Sequence, residues 1–392
     1  MPLMRRIYLD HSATTPLDPQ VLDAMMPYLS GIHGNPSSIH LFGREARQAL
    51  ETARASVAGA IGAAAEEIVF TSGGTEADNT ALWGVVQALR PHGRDHIVTS
   101  QVEHHAVLES AHALAAHGAR VDEMPVEASG RLNPGVVRAS IRSTTALVSV
   151  MHANNEIGTV QPVKEIAEIA HEAGALMHTD AVQSLGKIPF HVDELGVDLA
   201  SFSAHKIYGP KGIGALYIRK GVRLEPLLRG GSQEVNRRGG TEAVALAVGF
   251  AKALEICRNR MEADSARQIE LREELRARIA QVFPHALFNG VGEPLLPNIL
   301  SVSFDSREDQ VDGDALVMGL DLRGVAVTSG SACSSGTLEA SHVLLALGRD
   351  RHTARATIRF SLGRSTTAED IAFAVQALTE VAAVARGKSD HP

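Results

Sequence analysis

The sequence is poor in cysteine, in net positive charge and in long apolar stretches, and each shortage excludes a class of protein. Cys257 and Cys333 are its only cysteines, too few for a disulfide framework, so a reducing cytoplasm is the simplest location. The formal net charge of -8 argues against nucleic-acid and anionic-membrane partners. No stretch approaches the ~18 apolar residues of a transmembrane helix. The N-terminus also lacks the apolar core of a signal peptide.

Common nucleotide and metal motifs are missing as well. No Gly-Lys-Ser/Thr follows the glycines after Thr71, which excludes a Walker loop, and no GxGxxG joins a strand to a helix. The two cysteines are not spaced as metal ligands, and the adjacent His104 and His105 are not by themselves a zinc motif. We therefore expect neither a nicotinamide enzyme nor a metal site.

Apolar segments alternate with helical patterns through the first two thirds of the chain, which predicts βαβ units and a mainly parallel sheet covered on both faces. The predicted strands cover 66–72, 95–100, 145–152, 174–180, 199–206 and 214–220, with helices at 75–90, 105–118 and 163–174. A long helix starts near Thr241. The pattern beyond it is typical of a smaller α+β domain, with strands at 298–306, 324–332 and 356–363 and helices at 310–320, 341–348 and 368–386.

Polar residues collect where the predicted strands end, and in a parallel sheet of this kind ligands bind at that edge. Lys206 closes an apolar strand after His205. A lysine in a partly desolvated site has a lowered pKa and can form a Schiff base, although most loop lysines are simply exposed. Asp180 could cap the next helix. Together with a Schiff-base lysine it instead indicates pyridoxal phosphate (PLP), whose pyridine nitrogen needs an anionic partner.

The stretch FTSGGTEADN predicts an anion site. A strand ends at Thr71, and a helix opens at Thr75 and Glu76 after two glycines, so backbone N–H groups and the helix dipole meet there. Ordinary helix capping is the alternative. His104 or His105 could stack on a pyridine ring or lie on the surface.

Cys333 and Arg359 are the candidates for handling a substrate. Small and polar neighbours cannot bury Cys333 and suit a mobile loop, so its thiol is a candidate nucleophile. Cys257 lies in a helical pattern and is expected to be an inert small hydrophobe. Arg359, within a strand pattern, either faces solvent or grips a carboxylate with two hydrogen bonds.

Taken together, these segments resemble the NifS/IscS-type cysteine desulfurases, a PLP-dependent family with the aspartate aminotransferase-like fold (fold type I). The resemblance runs through YLDHSATTP, GNPSSIHLFG, TSGGTEADN, EHHAVL, NNEIGTVQP, HTDAVQSLGK, SFSAHKIYGPKGIGALY, SGSACSSGTLE and IRFSLGR. It implies a large PLP-binding domain at 16–255 and a small domain at 256–392 that carries the Cys333 loop. The N-terminal segment 1–15 is expected to pack with the small domain.

The resemblance also implies the cofactor contacts. Lys206 would carry PLP covalently, with Asp180 on the pyridine nitrogen. The other implied contacts are Gln183 on the ring hydroxyl, His104 on the ring face, and Thr75, Ser203, His205 and the backbone near Gly74 on the phosphate. Lys206, Cys333 and His104 are the implied catalytic residues.

The implied reaction converts L-cysteine to L-alanine and leaves the sulfur on Cys333 as a persulfide. Asn155 and Arg359 would grip the substrate carboxylate. Thr241 would reach the cofactor phosphate of a neighbouring subunit, which implies a homodimer. The loop around Cys333 is similar to the longer, mobile form found in the group that feeds iron–sulfur scaffold proteins. Such a scaffold or another sulfur acceptor is therefore the implied partner.

The sequence departs from the family in a few places, and two other functions remain open. The sequence departs from the usual family pattern at Ser232, Val235, Asn236, Gly239 and Ala340, which affects the loop before Thr241 and the end of the Cys333 loop. Another PLP enzyme of the same fold, such as an aminotransferase or a selenocysteine lyase, would not need Cys333 on a small-residue loop. A non-catalytic assembly partner would not need Lys206, Asp180 and Cys333 intact.

Overall fold

The structure, a computed structural model, describes residues 5–292, 294–305, 307–308, 311–329 and 340–386. Its strands are β1 (Ile7–Tyr8), β2 (Ile68–Thr71), β3 (His96–Ser100), β4 (Arg120–Met124), β5 (Thr145–Ser149), β6 (Leu176–Asp180), β7 (Leu199–Ser203), β8 (Gly214–Ile218), β9 (Ala286–Asn289), β10 (Ile299–Phe304), β11 (Val325–Ala326) and β12 (Thr357–Ser361). Its α-helices are α1 (Pro19–Ser30), α2 (Leu41–Ile61), α3 (Gly74–Leu89), α4 (His105–Ala116), α5 (Pro134–Ser140), α6 (Val163–Glu172), α7 (Val192–Leu195), α8 (Val244–Val282), α9 (Gly313–Leu322), α10 (His342–Ala346), α11 (Arg351–Arg355) and α12 (Ala368–Arg386). Within the described ranges, no helix is both long and apolar enough to cross a membrane.

Seven strands form the central sheet, in the order β2-β8-β7-β6-β5-β3-β4. The five strands β7, β6, β5, β3 and β4 run parallel to one another. Strand β8 runs antiparallel to both β7 and β2. Strands β5 and β7 are buried along their whole length, as expected for parallel strands covered on both faces. The predicted mainly parallel sheet is therefore confirmed. The sequence analysis missed β4 because this partly exposed edge strand, RVDEM, carries charges instead of an apolar run.

Apolar cores cover both faces of the central sheet, and a third core forms the second unit. Helices α1, α2 and α8 pack on one face, while α3 and α4 pack on the other. The second unit is built on the antiparallel sheet β12-β10-β9 with α9 and α12. Residues Ile7 and Leu9 belong to this third core, and β1 pairs with β11. The oxygen of Ser12 also accepts hydrogen bonds from Lys206 and Gln183 of the first unit, so the assignment of segment 1–15 to the small domain stays a prediction.

Helix α8 takes part in two of these cores. Its first part, including Phe250 and Cys257, packs into a core of the central sheet. Leu271, Leu275 and Ile279, nearer its other end, pack into the core of the second unit. The predicted boundary between residues 255 and 256 falls inside this continuous helix of 39 residues. That division stays a prediction.

The loop that departs from the family pattern is held in an uncommon backbone conformation. Glu234, Val235 and Asn236 have φ values of 47°, 55° and 60°, in the left-handed region. Glu234 is buried and its carboxylate accepts hydrogen bonds from Arg54 at 2.6 and 2.8 Å and from the backbone N–H of Phe70 at 3.1 Å. Asparagine tolerates this region, whereas a β-branched valine is strained there. The buried Glu234–Arg54 pair thus holds the loop despite the strain at Val235.

Val235→Gly should therefore stabilise the protein. The side chain of Val235 is 77% exposed, so removing it costs little packing, and glycine relieves a left-handed strain of ~1 kcal/mol. We expect a higher midpoint of chemical unfolding. Val384→Gly is the matched control, because Val384 is also exposed but lies in α12, where glycine should lower the midpoint. A lower midpoint for Val235→Gly would contradict the strain argument.

Candidate active site

A cavity of about 400 Å³ lies at the carboxyl ends of β5, β6 and β7. The first turns of α3 and α4, the N-terminal segment and the second unit complete its walls. The lining residues are Ser12, Ala13, Gly74, Thr75, Asp78, His104, His105, Met151, Ala153, Asn155, Glu156, Asp180, Val182, Gln183, Ser203, His205, Lys206, Thr328, His342 and Arg359. Most of the residues selected from the sequence therefore surround one space.

Lys206 lies in a short 3-10 turn directly after β7, and its amine is held by the N-terminal segment. Its Nζ donates hydrogen bonds to the backbone oxygens of Ser12 at 2.6 Å and Ala13 at 2.7 Å. Burial, and next the positive charge of Arg359, lower the pKa of Lys206 to about 8. An amine with that pKa is partly neutral near neutral pH, as a nucleophile or a base must be.

Three buried carboxyl groups interact with one another, and two of them, Asp78 and Asp180, line the cavity. Asp180 ends β6, and its Oδ1 accepts a hydrogen bond from the N–H of Val182 at 2.9 Å. Burial raises its pKa to about 6, although that N–H and Lys206 oppose the rise. Burial raises the pKa of Asp78 well above its usual range, and Asp180 adds to the effect. Glu103 has its pKa raised to about 8, mainly by burial. A cationic ring nitrogen beside Asp180 would relieve this crowding of acids.

The opposite end of the cavity suits a phosphate group. Helix α3 begins at Gly74 without a side-chain cap, so the N–H groups of its first turn are available to an anion. A Cβ atom on Gly74 would come within 2.6 Å of a methyl group of Val182, so only glycine fits there. Thr75, Ser203 and His205 line the same region. A hydrogen bond of 3.1 Å joins the His205 Nδ1 to the Thr14 hydroxyl.

His104 and Gln183 lie between these two ends. His104 caps α4, with its Nδ1 accepting the N–H of Ala106 at 3.1 Å, and its ring is accessible from the cavity. The pKa of His104 is lowered to about 4, chiefly by burial and secondly by the charge of Lys206. The ring is therefore neutral at pH 7. The buried Gln183 donates from Nε2 to the backbone oxygen of Ser12 at 2.9 Å. Both residues line the cavity.

Arg359 extends from β12 of the second unit into the cavity. Its Nη1 donates to the backbone oxygen of Asn155 at 2.9 Å, and its Nη2 forms an ion pair with Asp10 at 2.8 Å. The side chain is only 6% exposed. A guanidinium group fixed at this position can hold a carboxylate next to Lys206.

Two predicted residues lie away from the cavity or outside the described residues. Thr241 is exposed just before α8 and does not line the cavity. Cys333 falls in the segment 330–339, outside the described residues, although Thr328 before this segment and His342 after it both line the cavity. Cys257 is buried, donates from Sγ to the oxygen of Ile207 at 3.3 Å, and has its pKa raised to about 11, mainly by burial. A thiol in that environment is a poor nucleophile.

The residues present fit PLP. The cavity offers an amine for a covalent link, a buried carboxyl for the pyridine nitrogen and an uncapped helix start for the phosphate. The buried Oδ1 of Asp78 has no hydrogen-bond partner within the described part of the chain. One polar atom of a residue that lines the cavity is therefore unpaired. The individual contacts of Lys206, Asp180 and the other selected residues stay predictions.

Sequence reasoning missed several residues of the cavity. The carbonyl groups of Ser12 and Ala13 leave no signal in the side-chain pattern. Asp78 could have been found, because it lies four residues after Gly74 in α3 and therefore on the same helix face. Asp10 pairs with Arg359, which lies 349 residues later in the chain, and no local sequence motif indicates such a contact.

Comparison with known proteins agrees with this geometry. The family model of class-V aminotransferases matches residues 7–373. The cysteine desulfurase IscS of Dictyoglomus turgidum is 49% identical over 383 residues, which cover 97% of this chain and 95% of that protein. These matches confirm the resemblance described for the sequence.

Solved structures agree as well. A NifS-like protein superposes with a TM-score of 0.90 at 38% identity and covers 97% of this chain and 100% of that chain. SspA in complex with cysteine superposes with a TM-score of 0.80 at 35% identity, covering 91% of this chain and 98% of that one. The predicted fold type I architecture is thereby confirmed.

Glu103→Gln should stabilise the protein more at pH 8 than at pH 5. The pKa of Glu103 is about 8 in the folded protein, against an ordinary value of 4.5. Between these values the folded state binds more protons than the unfolded state, so the wild type loses stability as pH rises. The glutamine stays neutral throughout. Its advantage in thermal midpoint should grow from pH 5 to pH 8 and then level off.

The matched control is Glu270→Gln, an exposed residue of α8 that has no histidine within four positions of it along the helix. This variant should show no such dependence on pH. An advantage of Glu103→Gln that is the same at pH 5 and pH 8 would mean that the carboxyl titrates normally in the folded protein.

Proposed function

The chain belongs to the class-V aminotransferase family, which depends on PLP, and we propose that the protein is a cysteine desulfurase. It converts L-cysteine to L-alanine and transfers the sulfur to Cys333 as a persulfide. The observation that carries the proposal is the cavity that brings Lys206, Asp180 and Arg359 together. Its walls include residues on both sides of the segment that contains Cys333.

PLP would be held by groups already facing the cavity. Lys206 would bind it covalently, Asp180 would face the pyridine nitrogen, and Gln183 the ring hydroxyl. The phosphate would take the start of α3 with Thr75, Ser203 and His205, while His104 would stack on the ring. When bound, PLP supplies an electron sink for the negative charge that develops at the substrate α-carbon.

Lys206 is the proposed base for the α-proton. The oxygens of Ser12 and Ala13 hold its Nζ above the ends of β6 and β7. Its lowered pKa leaves a useful fraction of the amine neutral at physiological pH. The nitrogen can therefore take a proton from the substrate and return it to the product.

Arg359 and Asn155 hold the substrate carboxylate in this proposal. Arg359 is fixed by Asp10 and by the Asn155 carbonyl, so its geometry is set before substrate arrives. The similar protein SspA has been solved in complex with cysteine, which supports cysteine as the substrate.

Cys333 is the proposed sulfur acceptor. Its thiolate attacks the substrate sulfur, forming an S–S bond while the C–S bond breaks and its electron pair stays with the substrate carbon. Protonation of that carbon gives the methyl group of alanine. Cys333 follows Ser329 by four residues, a separation that an extended chain spans within ~14 Å. Thr328, five residues before Cys333, lines the cavity.

The oligomeric state, the sulfur acceptor and the location are proposed on the same basis. We propose a homodimer in which Thr241 reaches the partner's phosphate site, since its exposed position is free for such a contact. The persulfide would pass to an iron–sulfur scaffold or another acceptor protein. A reducing cytoplasm suits a reaction that needs Cys333 as a free thiol.

Cys333→Ser tests the proposal directly. Serine is nearly the same size but cannot hold a persulfide, so alanine and sulfide should fall to background while PLP remains bound. In the wild type, one turnover without reductant should add one sulfur to Cys333, measured by intact mass and peptide mapping. Cys257→Ser is the matched control and should stay active, because Cys257 is buried away from the cavity. Alanine production by Cys333→Ser at the wild-type rate, or a keto acid as product, would overturn the assignment.

Arg359→Lys should raise KM for cysteine and lower kcat/KM by roughly a hundredfold, because the paired carboxylate contact of ~3 kcal/mol is lost while one charge remains. The absorbance of bound PLP should not change. Arg355→Lys, on the exposed surface of α11, is the control and should behave as wild type. Unchanged kinetics for Arg359→Lys would remove it from substrate binding.

A further inference from the structure

Residues 330–339, which include Cys333, join two parts of the chain that are fixed to different units. Before them, Thr328 pairs with Arg359 of β12 in the second unit, where the N–H of Arg359 donates to the oxygen of Thr328 at 2.6 Å. After them, Ser341 is the N-cap of α10. Cys333 lies only eight residues before Ser341 in the sequence. How firmly Ser341 is held therefore limits how far Cys333 can move away from it.

Helix α10 packs against the first unit, the one that carries the central sheet. A small apolar cluster joins α10 and the residue after it to residues near the ends of β3 and β5. Its members include Val343, Leu344 and Leu347 on one side and Val102 and Ile157 on the other, and all five side chains are buried. The chain therefore leaves the second unit before the Cys333 segment and is held on the first unit after it.

Two polar contacts hold the start of α10 to the same unit. The Oγ of Ser341 donates to the Oε2 of Glu156 at 2.6 Å, a separation typical of a hydroxyl group that donates to a carboxylate. Both residues are buried, so water competes little for this bond. The Nε2 of His342 donates to the backbone oxygen of Glu103 at 2.9 Å, and its ring packs on that of His105 with the centroids 4.7 Å apart. The bond to Glu156 is the one nearest to Cys333 in the sequence.

Glu156 is itself fixed by the turn that carries Asn155. The Oδ1 of Asn154 accepts the backbone N–H groups of Glu156 at 2.8 Å and Ile157 at 3.0 Å. The Nδ2 of Asn154 donates to the backbone oxygen of Val102 at 2.8 Å. Asn155 and Glu156 both line the cavity. One short turn therefore carries a proposed substrate contact and the anchor for the chain that follows Cys333.

We propose that Glu156 is a positioning residue for sulfur transfer: through its hydrogen bond with Ser341 it holds the end of the Cys333 segment beside the cavity. The inference rests on the proposed function, in which the Cys333 thiolate attacks the substrate sulfur. A chain that is anchored on both sides of Cys333 keeps the thiol at a higher local concentration near the substrate than a chain released at one side. Glu156 acts through Ser341 and takes no part in the bonds that form or break.

The test is the rate at which the PLP-loaded enzyme forms a persulfide on Cys333 in a single turnover with L-cysteine, measured by rapid quenching and peptide mass. Glu156→Ala and Ser341→Ala each remove the bond, and each should slow this step roughly tenfold. Because both remove the same contact, the double variant should also be roughly tenfold slower and not a hundredfold. The cysteine concentration that gives half of the change in PLP absorbance should stay at its wild-type value. Ser341→Thr keeps the hydroxyl group and should react at nearly the wild-type rate.

Asp350→Ala is the matched control. The Oδ2 of Asp350 accepts from the hydroxyl group of Thr353 at 2.6 Å, and Asp350 caps α11 as Ser341 caps α10. Neither Asp350 nor Thr353 lines the cavity. This variant should lower the thermal midpoint, because a similar bond and a helix cap are lost, but it should form the persulfide at the wild-type rate.

Each other outcome counts against the inference. Persulfide formation at the wild-type rate in both Glu156→Ala and Ser341→Ala would overturn it and leave the proposed function standing. Weaker cysteine binding in Glu156→Ala, with no effect of Ser341→Ala, would assign Glu156 to the substrate instead. An equal slowing in Asp350→Ala would reduce the effect to one of stability. A wild-type enzyme that forms no persulfide on Cys333 would overturn the proposed function itself, and this inference with it.

Discussion

The burial of an amine and several carboxyl groups at one sheet edge is the constraint on which the structure around the cavity depends. Lys206 and Asp180 both stand at the ends of central strands, and neither finds a full set of partners within the sheet. The N-terminal segment supplies two carbonyl oxygens for the amine. The second unit supplies Arg359, which is tied back by Asp10. Satisfying the polar groups of the cavity therefore joins the central sheet, the chain start and the second unit.

The layout of the fold could be predicted from the sequence wherever burial leaves a periodic pattern. Strands β5 and β7 read as apolar runs because both of their faces are covered, and α3, α4 and α6 read as helices between strands. Strand β4 could not be predicted, since an exposed edge strand has no need of apolar residues. The two-residue strand β1 could not either, because it pairs Ile7 with Val325 across almost the whole chain, whereas its partner β11 lies within the predicted strand 324–332.

The residues of the candidate site fall into two similar groups, those marked by a local sequence motif and those defined only by tertiary contacts. Side chains in local motifs, such as Lys206 after its strand and Gly74 before its helix, could be selected from the sequence, and the structure places them around one cavity. Groups whose role depends on tertiary contact could not be selected. The oxygen of Ser12 is a backbone atom, and Asp10 is defined by its ion pair with Arg359. Cys333 was selected from its small and polar neighbours in the sequence and from the family resemblance, and its role rests on the proposed chemistry.

Helix α8 has a mechanical consequence. A continuous helix of 39 residues is ~58 Å long, and its two parts are embedded in two different cores. A hinge between the central sheet and the second unit would have to bend or break this helix, at the cost of its backbone hydrogen bonds and its packing. The helix therefore connects the two units rigidly and keeps the distance between Arg359 and Lys206 constant. For the proposed reaction this means that substrate enters a cavity whose width is already set, because the second unit does not have to close over it.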